Sequence, residues 1–265
     1  VLLFLSVALA GAGARLRQAG WLAQLARAAA ICSAVFFAGV LVLTQSRGAW
    51  LGALFGCAAM AWLRWPKVRW PAVALGGAVA LAVWAVGPHA LLVALFPAPG
   101  SQGQLLSTVT LEGRVELWKR AVVAIGDFAF TGCGFGAFRR VVWALYPPFL
   151  VSPGHDYAHA HNVFLQVALD VGLPGLIAYL ALIGVALWVA LRAARQADAS
   201  QRWLGLGAAG SLVSFHVFGL TDTIALGARP GIAFWLLLAL IVVAGQVSRT
   251  GGRPECRTES GWQAR

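Results

Sequence analysis

The stretch His161-Asn162-Val163-Phe164-Leu165-Gln166-Val167-Ala168-Leu169-Asp170-Val171-Gly172-Leu173-Pro174-Gly175 decides how this chain is read. It opens with a histidine and an amide side chain, and it closes on a glycine, two spacers and a second glycine. A polar, histidine-bearing loop precedes it and a long apolar segment follows. A titratable group therefore stands where an aqueous loop meets an apolar helix. Asn162 can cap that helix or orient the histidine. Gly172, Pro174 and Gly175 break it, leaving 162–171 as a short outer helix and about 173–191 as the crossing segment.

Outward from this stretch the chain is apolar. It has 265 residues, 60% hydrophobic and 11% charged, with mean hydropathy +0.79. A soluble domain carries about 25% charged residues. The composition is that of an integral membrane protein whose spans are helices of about 20 residues, each satisfying its own backbone. The absence of period-2 alternation argues against a β-barrel. The expected fold is all-α: a polytopic membrane helix bundle with spans at about 28–44, 49–63, 71–96, 162–191, 204–220 and 230–247. The apolar run Val1 to Ala14 is short for a span and lacks a basic n-region and a cleavage site. It is read as a truncated helix of a longer protein, not as a signal peptide. Residues 1–247 form one membrane domain without internal repeats. A large loop, about 97–160, carries an amphipathic helix, and 248–265 is a polar, disordered tail.

The net charge of +11 does not point to nucleic acid, because the basic residues fall in short loops between spans. If each span crosses once, the strongly basic segments 15–27, 64–70, 192–202 and 248–265 share one side. The positive-inside rule makes that side cytoplasmic. The loop 97–160 and His161 then face outward. Trp62, Trp65, Trp70 and Trp203 fall at span ends, as an interfacial belt does. Cys32, Cys57, Cys133 and Cys256 show no paired spacing, so neither a disulfide framework nor a zinc site is indicated.

Several residues could carry chemistry. Arg47 interrupts two spans on the outer side, in Gln45-Ser46-Arg47-Gly48. It is either a snorkelling helix-end arginine or a planar cation suited to phosphate. Residues 112–126 read as a helix. At about 100° per residue, Glu112, Glu116, Lys119 and Arg120 share one face, and Glu116 can pair with Arg120. Arg114 falls opposite, with Leu117, Trp118, Ala121 and Ile125. It either escapes to water in the first turn or aims a guanidinium at an anion. Phe130-Thr131-Gly132-Cys133-Gly134-Phe135-Gly136 lacks the Lys-Ser/Thr of a phosphate-binding loop and reads as a tight, aromatic-lined turn. His155, Asp156, His159 and His161 could gather a metal. The stronger reading makes His161 a base tuned by partial burial, able to take a proton from a sugar hydroxyl. His216, inside a span, reads as a hydrogen-bonded core residue. Asp222 and Arg229 bracket a short outer loop and either pair or add to the electrostatics of the site.

The pattern His161-Asn162, nine residues, Gly172, two residues, Gly175 resembles the motif of bacterial O-antigen ligases and their polymerase-like relatives. Gly113-Arg114 in the loop helix and Ser46-Arg47-Gly48 between spans resemble that family's other signature positions, and the resemblance extends over roughly 30–247. It implies a membrane glycosyltransferase of lipopolysaccharide or polysaccharide biosynthesis, in the bacterial inner membrane with its site facing the periplasm. The implied donor is a polyprenyl-diphosphate-linked glycan. The implied acceptor is a lipid, a growing glycan or a protein. Arg47 and Arg114 would hold the pyrophosphate and His161 would activate the acceptor hydroxyl. From their positions, not from the resemblance, Asn162, Arg120, Asp222 and Arg229 are further candidates for substrate contact. No cofactor, nucleotide or metal is implied. The competing reading is a flippase of lipid-linked glycans, which would place polar residues at mid-depth in several spans; only His216 lies there. A structural scaffold would leave Arg114 unexplained.

Overall fold

The computed structural model describes residues 1–13, 20–86, 111–147, 158–224 and 231–250. All regular structure among them is helical: α1 (Leu2–Gly13), α2 (Trp21–Leu43), α3 (Arg47–Arg64), α4 (Arg69–Val86), α5 (Leu111–Asp127), α6 (Phe138–Leu145), α7 (Val163–Ala194), α8 (Ala199–Gly219) and α9 (Ile232–Thr250). Two of them, α2 and α7, are long and apolar enough to cross a membrane, and α1 and α9 hold shorter apolar runs. Helix α2 begins at Trp21, seven residues before the expected span, so Arg27 lies inside the helix and not in a basic linker. Residues 87–110, 225–230 and 251–265 lie outside the described set. With them go the end of the span expected to reach 96, most of the loop's first half and most of the tail.

Helix α8 is the hub, touching α1, α3, α7 and α9. It can do so because its inward residues are small: Gly205, Gly207, Ala208, Ala209, Gly210 and Ser211 are all buried. The approach of α3 is closest. Gly48, Gly52 and Gly56 recur every four residues along one face. A Cβ at each would stand 2.7 Å from Thr221 Oγ1, Ser214 O and Gly210 O respectively. Between apolar helices, where burial from water supplies no drive, this backbone-to-backbone contact is what holds them together. It also fixes register: Gly48, at the start of α3, lies beside Thr221, at the end of α8.

Start and stop signals are local. Gln45 adopts φ 49, ending α2. Ser46 then caps α3 by accepting from Ala49 N at 3.3 Å. Trp50 Nε1 donates to Leu41 O at 2.9 Å, pinning the turn between the two helices. Pro66–Val68 forms a short 3-10 turn before α4. Asp198 caps α8 through Gln201 N at 2.8 Å.

Helix α7 is two helices joined at Gly172, whose φ 73 and ψ 179 are not helical. The expected break is therefore present, and its mechanism is visible. Pro174 has no N–H to give the carbonyl of Asp170; Gly134 N supplies one at 3.1 Å. The carbonyl of Leu169 takes Cys133 N at 2.6 Å, and Leu173 N turns outward to Ala129 O at 2.7 Å. The turn 128–136 thus replaces the bonds the broken helix lost. It comes that close because Gly132, Gly134 and Gly136 all hold positive φ, which glycine alone adopts without steric cost.

Two cores result. The bundle core joins Val163 and Val167 of outer α7 to Leu212, Phe215, Phe234, Leu237 and Ile241. The loop core joins Leu117, Ala121 and Ala124 of α5 and Phe138 and Val142 of α6 to Ala160 and Leu169. Within the bundle core, His216 Nδ1 lies 2.7 Å from Leu212 O, which only accepts. That ring nitrogen therefore carries the proton, and Nε2 accepts from Tyr179 OH at 3.1 Å. His216 is the satisfied core histidine expected from its position.

Candidate functional site

His161 sits between the two cores, on the last residue before the cap of α7. Its backbone holds φ 49, a left-handed conformation that histidine tolerates better than branched residues do. Asn162 follows in extended conformation and does three things. Its Oδ1 accepts from Phe164 N at 3.0 Å and Leu165 N at 3.1 Å, and its Nδ2 donates to Leu220 O at 3.1 Å. The amide thus caps α7 and ties its start to the end of α8.

That tie brings Asp222 to His161. The ring Nδ1 stands 2.9 Å from Asp222 Oδ1, across 61 residues of sequence. Thr223 N also donates to that oxygen at 2.8 Å. Burial alone would raise the Asp222 carboxyl; the bonds from His161 and Thr223 outweigh it and hold the group below its ordinary value. A carboxylate accepting from Nδ1–H leaves Nε2 as the basic nitrogen and stabilises the imidazolium that forms when Nε2 takes a proton. The ring of His159 stands edge-on to His161, centroids 4.4 Å apart. Burial first, and then the neighbouring His161, lower His159 below its ordinary value. His155 lies outside the described residues.

A buried polar chain braces this arrangement. Ala160 N donates to Gln166 Oε1 at 2.9 Å, and Gln166 Nε2 donates to Asp170 Oδ1 at 2.9 Å. Gly136 N reaches the same carboxylate oxygen at 3.4 Å. Gln166 and Asp170 are only 2% and 6% exposed, so neither has water to fall back on. The chain runs from the glycine turn through α7 to the residue before His161. Gln166→Leu leaves the Ala160 N–H without a partner and strips a donor from Asp170. The expected loss is roughly 1–3 kcal/mol of stability, measured as a lower unfolding temperature of the purified protein.

The arginines take different places. Arg47 is the first residue of α3, beside Gly48, whose packing against Thr221 sets it at the level of Asp222. Arg114 lies in the first turn of α5 and is half-buried, with its Nε enclosed by protein and without a hydrogen-bond partner. The Nε edge of the guanidinium is therefore covered by protein. Helix α5 runs alongside outer α7 in the same direction: Leu117, Ala121 and Ala124 share one buried cluster with Ala160 and Leu169, and the turn after α5 meets Leu173. Arg114 accordingly lies toward the His161 end. Arg120 is on another face, 3.7 Å from Glu116; the pair forms as expected, but Glu116 is buried and not on a watered face. Val115, Val122 and Val123 are exposed instead. Arg229 lies outside the described residues.

Among the described residues one group has metal-ligand chemistry: His159, His161 and Asp222 each offer one atom within 4.8 Å of the others. Two imidazoles and a carboxylate are a zinc-type set, although Asp222 is already engaged by His161 and Thr223. Burial and then Asp170 push the Cys133 thiol up.

Three features escaped the sequence reading. Gln166 and Asp170 sit in an apolar run, where two polar residues four apart signal an internal pair. The spacing of Gly48, Gly52 and Gly56 signalled a helix contact. Asp222 was expected either to pair with Arg229 or to add to the electrostatics of the site; its direct bond to His161 Nδ1 was not foreseen.

A family model described as O-antigen ligase matches residues 32–180, just over half of the chain. The match includes Arg47, Arg114, His161 and the break at Gly172; Asp222 and α8 lie beyond it. No curated protein matches the chain.

Proposed function

Because the chain belongs to the O-antigen ligase family, we propose that it transfers a glycan from a polyprenyl-diphosphate-linked donor to an acceptor hydroxyl on the periplasmic face of the inner membrane. The observation that carries this reading is the His161–Asp222 pair at 2.9 Å, at the same end of the bundle as Arg47. Asp222 holds the Nδ1–H, and Nε2 takes the acceptor's hydroxyl proton. The freed oxygen attacks the anomeric carbon, the bond from that carbon to the phosphate oxygen breaks, and the electron pair leaves with the diphosphate. Arg47 and Arg114 offset the charge gathering there, which non-titrating cations do best. The products are the glycosylated acceptor, the polyprenyl diphosphate and a protonated His161. A single displacement inverts the anomeric centre. The scheme uses no nucleotide and no metal.

In the membrane, α2, α3, α4, α7, α8 and α9 are proposed to cross, with the basic segments in the cytoplasm. Lipid, glycan and protein acceptors all present the required hydroxyl. The test is a transfer assay in membranes from a host without its own such transferase, with a chelator present. The expected result is a new inverted glycosidic bond and released polyprenyl diphosphate. Donor that changes leaflet without forming a bond would instead establish the flippase reading.

A further inference from the structure

His159, His161 and Asp222 each present one ligating atom within 4.8 Å of the other two. The loop before α7 supplies the histidines, and the segment after α8 supplies the carboxylate. The set exists because Asn162 ties those two ends together through Leu220 O. The imidazole rings stand edge-on, centroids 4.4 Å apart. All three residues are partly exposed; the side chain of Asp222 keeps 34% of its surface and that of His161 13%. A small ion therefore reaches the set from outside the protein without opening a core. Among the described residues both bonds to the Asp222 carboxylate end on Oδ1, which leaves Oδ2 to offer.

The glycan transfer proposed above asks nothing of His159. Two imidazoles and a carboxylate are donors that zinc takes, at about 2.0–2.2 Å, with a fourth position left for water. Ligands at that range stand closer together than the 4.8 Å bound, so binding draws the side chains in. Asp222, past the last turn of α8, is placed to follow. We infer that His159, His161 and Asp222 bind zinc, and that zinc held there inhibits transfer. The inhibition rests on the function proposed above; the binding does not. A neutral imidazole has one nitrogen with a lone pair to give and one that carries a proton. Whichever nitrogen of His161 the ion takes, the other keeps the proton, and no base is left for the acceptor hydroxyl. No covalent bond of donor or acceptor is touched, so removal of the ion restores the site.

The test uses the purified protein in nanodiscs, titrated with zinc chloride against a zinc indicator dye. Magnesium chloride is the control, an ion that prefers oxygen ligands. Wild type is expected to take up zinc, to unfold at a higher temperature in its presence, and to lose transfer as the ion binds, with recovery in EDTA. Magnesium should do none of these. Loss of a hydrogen-bond partner behind a metal ligand already costs about 10- to 100-fold in affinity. Removing a ligand itself, in His159→Gln, should weaken zinc by at least as much. The zinc concentration that halves transfer should rise by the same factor, while transfer in EDTA is kept. Asp222→Asn serves the binding measurement alone and should weaken zinc as well. Equal zinc affinity in wild type and both variants would put the ion elsewhere and overturn the site. Zinc that binds here and leaves transfer undiminished would overturn the inhibition. Wild type that transfers no glycan even in EDTA would count against the proposed function, while the three zinc affinities would still decide the site.

Discussion

His161→Asn is expected to lower glycan transfer by roughly 10²- to 10⁴-fold, the usual contribution of a positioned general base, with little change in folding. Asparagine is the informative substitution here. The backbone at His161 holds φ 49, and asparagine adopts left-handed conformations more readily than alanine does. The variant therefore removes the base without straining the loop. Asp222→Asn should lower transfer in the same direction for another reason. Its amide could donate to Nδ1 and force the proton onto Nε2, leaving no basic nitrogen toward the acceptor. Both are read in the membrane transfer assay at matched expression. Wild-type transfer by His161→Asn would remove His161 from the mechanism.

Gly172→Ala is expected to destabilise the protein by about 3 kcal/mol or more and to abolish transfer with it. The backbone there, φ 73 and ψ 179, lies in a region open essentially to glycine. A Cβ would also stand 2.5 Å from the carbonyl oxygen of Phe130. That oxygen is backbone and cannot swing aside, so the turn 128–136 must lift off the break and expose the carbonyls it caps. Gly184→Ala is the control: nothing lies within 4 Å of its would-be Cβ. There the change should be neutral or stabilise α7 by up to about 1 kcal/mol. Thermal unfolding of the three proteins in one detergent decides the matter, and equal unfolding temperatures would mean the break does not need its glycine.

The parts of this structure legible in advance were those written in neighbouring residues. A proline and two glycines announce a break wherever they fall in an apolar run, because the missing N–H and the positive φ are properties of the residues themselves. The cap by Asn162 and the core role of His216 followed in the same way. What stayed hidden was long-range. Asp222 meets His161 only because Asn162 holds Leu220 and the small face of α8 lets α3 approach, contacts no local pattern encodes. The helix start at Trp21 was missed because Arg27 resembled a loop charge; an arginine in the first turns of a helix has the same local signature. The burial of Glu116 defied the helical wheel, which knows only one face in and one face out.

Outer α7 between the cap and the break serves two masters. Val163 and Val167 face the bundle, Leu169 faces the loop core, and Gln166 and Asp170 carry the polar chain between. The interval between the histidine and the glycine is thus a phase as well as a length. Inserting one residue after Phe164 would advance the rest by about 1.5 Å and rotate it by about 100°. Leu169 would swing off its core, Asp170 would leave Gly136, and the break would no longer meet its turn. No side-chain exchange within the segment disturbs all three contacts together, so the spacing tolerates less change than the residues that fill it.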